Sequence, residues 1–370
     1  MNLAILGTRG IPARYGGFET FAEQLSTRLV GKGADVTVFC PSDSSRPDEQ
    51  FQGVTLRFVT SPRAGAFTQI LWDAKCFWAA RRGFDVVYML GVGASFAAWL
   101  PRLFGSAVWI NSDGLEWKRS KWSIPQRAYL ALAEALSVCF ASRIIADSAA
   151  IARYLRSRYV SLKRVSTIAY GAEIPSPERD CSALGEWGLA PDEYYLVVCR
   201  LEPENHLSEI VEGFERSPAK LPLVILGNIE NPNDYVQDLL ARRSSKVRFL
   251  GTVYDSGKLA SLRCNARGYF HGHSVGGTNP SLLEAMACSS LVIAHDNEFN
   301  REVLEDSGLY FTTSDTLAKL IASIDAGEVN VAALRQRAAE IIHRRYLWSQ
   351  VTDAYFELLK SESGPSKARE

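Results

Sequence analysis

Two glycine pairs, an arginine and a glutamate are the residues of this chain best suited to hold an anionic ligand. Gly276 and Gly277 stand ahead of Thr278, Asn279 and Pro280 in HGHSVGGTNPSLLEAMA. Asn279 is a good helix N-cap, and Pro280 suits the first helical position, where a missing N–H costs nothing. Glycines just before a helix let backbone amides approach an anion closely, and the helix N-terminus adds partial positive charge pointing the same way. That combination is a cradle for a diphosphate. Taken alone, the same stretch also serves as an ordinary tight turn and cap. Gly16 and Gly17 repeat the device in GTRGIPARYGGFETF, just after the first apolar run. The spacing is neither G-x-G-x-x-G nor G-x-x-x-x-G-K-[ST], so the dinucleotide fingerprint and the P-loop are excluded.

Arg200 closes the apolar run YYLVVCRL. A guanidinium at a strand end binds phosphate oxygens as a fork; the alternative is a surface ion pair with Glu202 or Glu204. Glu284 lies one turn into the helix that Pro280 begins. A carboxylate there suits vicinal hydroxyls such as a ribose diol; the alternative is a partner for the helix dipole. In WINSDGLEWKRSKWS, Asp113, Glu116, Lys118, Arg119 and Lys121 crowd beside three tryptophans. Aromatic faces suit sugar rings and the bases suit phosphates, although crowded charge on a loop is commonly just solvated. Glu116, Trp117, Arg119 and Lys121, with His271 and His273, are therefore candidates for contact with a sugar or an acceptor. Asp113 is the candidate for contact with the reacting sugar.

These residues need elements to position them. NLAILG, ADVTVFC, GVTLRFV, DVVYML, AVWIN, RIIADS and RVSTIAYG read as strands with helical patterns between several of them. Strands alternating with helices imply a parallel, doubly wound α/β sheet whose ligand edge lies at the strand C-termini. EIPSPERDCSALGEWGLAPDE is rich in Pro, Gly and charge, as a linker is. The rhythm then restarts with YYLVVCRL, PLVILG, VRFLG, GYF, LVIAHD and GLYF. The expected organisation is two Rossmann-like domains, 1–172 and 173–347, facing each other across a cleft, with a terminal helix at 348–361 crossing back to the first.

A length of 370 residues suits two domains, and 47% hydrophobic with 22% charged residues is a globular, enzyme-like composition. MNLAILGTRG lacks a basic n-region and a long apolar h-region, which argues against a secretory signal. The apolar stretch 86–101 is broken by Gly91, Gly93 and Ser95, so it reads as strand, turn and helix rather than a membrane span. Seven scattered cysteines without a C-x-x-C pair point to reduced thiols in the cytoplasm. No metal-ligand cluster is expected among the histidines and cysteines, and no nucleic-acid partner is indicated. The zero net charge hides an asymmetry: residues 1–172 hold 21 Lys and Arg against 12 Asp and Glu, and the rest hold 20 against 29. The cationic half suits an anionic membrane surface or a phosphorylated substrate, or is simply solvated. Trp72, Phe77, Trp78, Arg81 and Arg82 would lie along one helix there, either as a peripheral membrane helix or as a core-facing aromatic stripe.

Taken together, these segments resemble glycosyltransferases of the GT-B fold, in the large retaining family that uses nucleotide-sugars. YGGFETFAEQLSTRLVGKGADVTVF resembles the family's Gly-Gly-x-Glu loop and following helix, and ADSAAIARYL with STIAYGAE the strand and loop closing its first domain. CRLEPENHLSEIVEGF resembles its donor-phosphate segment, SLLEAMACSSLVIA its nucleotide-binding helix, and YLWSQVTDAYFELL its terminal helix. GTRGIPARYGGFET, NSDGLEWKRSKW and HGHSVGGTNPSLLEAMA look like the subgroup of bacterial rhamnosyltransferases that build capsule, O-antigen and exopolysaccharide. The resemblance implies dTDP-L-rhamnose as donor and a saccharide or polyprenyl-diphosphate-linked sugar as acceptor. It places Gly16 and Gly17 at the donor phosphates, Arg200 on the diphosphate and Glu284 on the ribose. Three positions depart from the family pattern: Gly276 replaces the first glutamate of a pair, Asn205 a lysine, and Asp113 a histidine.

Asp-x-Asp, the metal-holding motif of the other common glycosyltransferase fold, does not occur. The expected chemistry is a metal-independent, retaining transfer without a cofactor, in which arginine, amides and helix ends neutralise the departing diphosphate. The rival readings are a nucleotide-sugar epimerase on the same fold, a binding protein that has lost catalysis, and a Rossmann dehydrogenase, the last disfavoured by the missing fingerprint.

Overall fold

The computed structural model describes residues 1–13, 16–44, 47–112, 114–119, 122–159, 164–175 and 181–362. They form two compact units, Met1–Tyr170 with Trp348–Glu370, and Gly171–Leu347.

In the first unit the apolar runs become β1 (Asn2–Leu6), β2 (Asp35–Ser42), β3 (Glu49–Phe51), β4 (Val54–Thr60), β5 (Val86–Leu90), β6 (Ala107–Asn111), β7 (Arg143–Ala146) and β8 (Val165–Thr167). They form one sheet in the order β3-β4-β2-β1-β5-β6-β7-β8, parallel except where β3 runs against β4. β5 and β6 are buried along their whole length, as continuous apolar strands covered on both faces are. The helices are α1 (Gly17–Gly31), α2 (Thr68–Ala79), α3 (Trp99–Leu103), α4 (Ile124–Phe140) and α5 (Ala149–Arg158). Parallel crossovers are right-handed. β1 to β2 steps one way along the sheet, and the connections from β4 through β8 step the other way. That puts α1 on one face and α2 to α5 on the opposite face.

The second unit repeats the plan with β9 (Tyr195–Val198), β10 (Leu223–Leu226), β11 (Val247–Gly251), β12 (Gly268–His271), β13 (Val292–His295) and β14 (Gly308–Phe311), in the order β11-β10-β9-β12-β13-β14. Its helices are α6 (Leu207–Arg216), α7 (Asp234–Ala241), α8 (Ser256–Cys264), α9 (Pro280–Ala287), α10 (Glu298–Leu304), α11 (Ser314–Asp325) and α12 (Val331–Arg345). Tyr195, Phe214 and Phe270 form the aromatic centre of its core.

The last described helix, α13 (Trp348–Glu362), packs on α1 in the first unit. Phe21 meets the rings of Trp348 and Tyr355 at 6.0 and 5.8 Å, and the Tyr88 and Tyr355 hydroxyls lie 2.8 Å apart. Two sequence expectations need correction. The stretch read as a linker is more than that: Ser182–Trp187 forms a 3-10 turn that buries Ala183 and Leu184, because it packs against α8. Nor do Trp72 and Phe77 share an exposed stripe with Trp78: both are buried in the core face of α2, since they sit about 100° or more around the helix from it.

Candidate active site

A doubly wound sheet opens a crevice where neighbouring strands feed their helices in opposite directions. In the second unit that place is the carboxyl end of β9 and β12, since β9 to β11 step outward one way and β12 to β14 the other. Arg200 follows β9 there, and the Gly276–Asn279 loop follows β12. Asn279 caps α9: its side-chain oxygen accepts from the Ser281 amide at 2.9 Å, with Pro280 at the first helical position. Gly276 has φ +129, a backbone state closed to most other residues, and a Cβ added there would lie 3.3 Å from His273 Nε2. Thr278 is buried.

The loops after β9, β12 and β13 are bolted to one another. Asn205 donates from Nδ2 to the Arg200 carbonyl at 2.7 Å, and its Oδ1 lies 2.9 Å from His273 Nδ1. His206 contacts the Ser274 hydroxyl at 3.0 Å and stacks on His295 with ring centroids 3.8 Å apart. Asn297 and Asn300 both donate to the His273 carbonyl. The position where the family pattern has a lysine is thus occupied by a bracket that fixes the backbone carrying Arg200.

Arg200 itself is held loosely. Its Nη1 is 3.7 Å from Glu202 Oε1 and its side chain is 45% exposed. An ion pair that long and that wet is worth about 0–1 kcal/mol, so little opposes its turning to a phosphate. Glu284 is fixed more firmly: one carboxylate oxygen takes Arg263 Nη2 at 2.7 Å, and Arg263 is buried. The helix-dipole alternative falls away, because Glu284 stands in the second turn of α9 and its partner is a guanidinium.

His271 and His295 carry no charge at neutral pH. Burial drives His271 down to about 3, and burial with the stacked His206 holds His295 at about 4. His271 lies at the end of β12, fully enclosed, and its Nε2 has no hydrogen-bond partner among the described residues. It belongs to the interior rather than to a surface that meets an acceptor.

In the first unit the corresponding crevice lies at the carboxyl ends of β1 and β5. Gly16 is the N-cap of α1 with φ +117, and Gly17 begins the helix with open space beside it. Glu19 folds back over Gly16 and accepts the Arg9 amide at 2.9 Å, and Glu23 accepts the Ala13 amide. Two carboxylates of α1 therefore hold the glycine-rich loop from behind. A hollow of about 530 Å³ lined by Arg9, Gly10 and Glu19 adjoins it.

The tryptophan-rich loop is less open than its composition suggests. Glu116 and Arg119 pair with each other at 2.9 Å, Arg119 is buried, and Trp122 donates to Glu116 at 3.0 Å. Trp117 packs under Arg158 of α5. Asp113 and Lys121 lie outside the described residues.

Residues 187–341 match the family described as glycosyl transferases group 1, and residues 1–173 match a domain of unknown function, DUF1972. The second unit is thus the part of the chain similar to group 1 glycosyl transferases. Solved structures similar to the whole chain show that it has the GT-B fold. A sucrose-phosphate synthase from Thermosynechococcus elongatus superposes with a TM-score of 0.81 at 19% identity, covering 97% of this chain and 98% of its own. HepE of Anabaena in complex with UDP-glucose gives 0.76 at 17% identity, covering 97% and 99%. A phosphatidyl-myo-inositol mannosyltransferase of Mycobacterium tuberculosis is 26% identical over 175 residues, 44% of this chain and 45% of that protein. This chain thus spans less than half the length of the curated relatives it matches. Within the second unit, the Asn205 bracket, the His206–His295 stack and the Arg263–Glu284 pair went unread in the sequence. Each joins segments about 20 to 90 residues apart, and no local spacing signals such a pairing.

Proposed function

We propose that this chain is a retaining glycosyltransferase. It moves L-rhamnose from dTDP-L-rhamnose to a saccharide or polyprenyl-diphosphate-linked acceptor, in the cytoplasm at the inner face of the cell membrane, during synthesis of a bacterial surface polysaccharide. The observation that carries the reading is the convergence of the loosely held Arg200 and the Asn279-capped, glycine-led start of α9 at the β9/β12 switch point. The match of the second unit to group 1 glycosyl transferases and neighbours solved with UDP and UDP-glucose support a nucleotide-sugar donor. The rhamnose rests on the resemblance of GTRGIPARYGGFET and HGHSVGGTNPSLLEAMA to rhamnosyltransferases.

In this mechanism the diphosphate leaves with the bonding electron pair and Arg200 and the amides at Gly276–Thr278 take up its charge, so no metal ion is required. Glu284, oriented by Arg263, holds the ribose diol. Gly17 admits the donor phosphates to the start of α1. The acceptor hydroxyl attacks the oxocarbenium-like sugar on the face the diphosphate left, its proton passing to the departing diphosphate oxygen, and Asp113 contacts the reacting centre. The test is a thermal-shift and transfer panel of nucleotide-sugars, run with and without chelator. Stabilisation by dTDP-L-rhamnose and chelator-resistant transfer with retained anomeric configuration are expected. Preference for another donor, inverted product or activity restored only by magnesium would overturn the corresponding part.

A further inference from the structure

The large exposed apolar side chains of the first unit gather on one face of its sheet. α2 turns an outward stripe at steps of four and three residues: Phe67 just before the helix, then Leu71, Lys75, Trp78 and Arg82. Phe67 and Trp78 are 65% and 60% exposed. α3 adds Trp99 and Leu103, the latter 70% exposed. α4 presents Ile124, Ala128, Leu132 and Cys139 to solvent along a similar stripe. Only Ala133, Glu134 and Ser137 of its seventeen residues are buried. α2 packs against α3, and the 3-10 turn Ser95–Ala97 packs against both α2 and α4, so the stripes belong to one continuous layer.

The charges of that layer are sorted. Asp73 is the acid of α2 and Glu134 the acid of α4, and both point inward: Asp73 accepts from Gln69, and Glu134 from the hydroxyls of Tyr154 and Tyr159. Outward stand cations. Arg81 and Arg82 lie over the rings of Trp78 and Phe104, each 4.4 Å from the centroid. α5, on the same sheet face, contributes exposed Arg153 and Arg156 and contains no acid, while its Arg158 turns to Glu134 and the Trp117 ring. A second copy docked on this face by two-fold symmetry would set cations against cations. Tryptophan and arginine alternating with aliphatic side chains, and no outward acid on α2 to α5, match the headgroup layer of an anionic bilayer.

We infer that the outer face of α2, α3 and α4, flanked by α5, seats this chain on an anionic membrane, with Trp78, Trp99 and Leu103 entering the headgroup boundary and Lys75, Arg82, Arg153 and Arg156 meeting lipid phosphates. This names the surface behind the membrane placement in the proposed function, and it stands on residues apart from the candidate active site.

The test is co-sedimentation of the full chain with phosphatidylcholine vesicles, with and without phosphatidylglycerol. Binding is expected only with the anionic lipid and falls as salt rises. Replacing Leu71, Trp78 and Leu103 by serine should weaken partition by about tenfold per side chain, and Lys75→Ser with Arg82→Ser by about fivefold per charge. All are exposed, so circular dichroism should be unchanged. Absence of binding to anionic vesicles, or equal binding by the variants, overturns the inference. So does a concentration-dependent dimer that the serine variants dissolve, which would assign the face to a second copy. Donor stabilisation measured without vesicles separates the two proposals: docking without donor binding sinks the functional reading alone.

Discussion

Lowering the pH from neutral to 5 protonates a histidine in the unfolded chain but leaves His271 neutral in the folded one. Its folded value is about 3 because burial strips the imidazolium of water. The ordinary value is near 6.5, so the folded form binds fewer protons than the unfolded form across the window between the two. Stability from this group is fully present above pH 6.5 and drains away as pH falls toward 3. At pH 5 the loss is about 2 kcal/mol, or about thirtyfold in the unfolding equilibrium. The assay is amide exchange of the β12 peptide in mild denaturant at pH 7.5 and 5, corrected for intrinsic rates, for wild type and His271→Leu. The variant's stability should fall by about 2 kcal/mol less than that of wild type between the two pH values, whatever its absolute stability. Identical slopes in the two proteins would refute the claim that His271 is enclosed and uncharged.

Arg200→Ala should abolish transfer while leaving thermal unfolding nearly unchanged, whereas Glu284→Ala should abolish transfer and also lower the melting temperature, because it leaves the buried Arg263 unpaired. Each loses a charge-assisted contact of about 1.5–3 kcal/mol, so donor affinity should drop roughly tenfold or more by calorimetry. Gly272→Ala would drive a Cβ to 1.8 Å from the Asn205 carbonyl oxygen, separating the Arg200 loop from the β12 loop. A stability loss of about 1–3 kcal/mol or more is expected in denaturation, whereas Gly17→Ala, with open space around it, should fold normally and lose transfer. Asp73 is raised by burial to about 7, so the folded form holds its proton between about pH 4 and 7 where the unfolded form does not. The chain is penalised as pH rises through that window, and Asp73→Asn should raise the melting temperature at pH 8 far more than at pH 4, with a ceiling of about 4 kcal/mol.

How much of this was legible in the sequence follows from the range of the interactions. Strands such as DVVYML and the cap NPSLLEAMA announce themselves locally, through apolar runs and an N-cap before a proline, and β5 and α9 stand where those patterns put them. Which side of a helix faces inward was readable only in part: Trp72, Phe77 and Trp78 are close neighbours, yet two are core and one is surface. The polar brackets were not readable at all. Asn205 looks like a missing cation until His273, 68 residues on, is seen on its side-chain oxygen. Glu116 and Arg119 advertised a ligand, but three residues apart on a tight turn they satisfy each other.

The Tyr88–Tyr355 hydroxyl pair and the rings around Phe21 bear on the order of events at the ribosome. The first unit's aromatic centre needs α13, yet the whole of 171–347 is translated in between. At about 5–20 residues per second that is a wait of roughly 10–35 s, during which Phe21 and Tyr88 lack their final neighbours. The second unit has no such dependence, so it is free to mature first although it is made later.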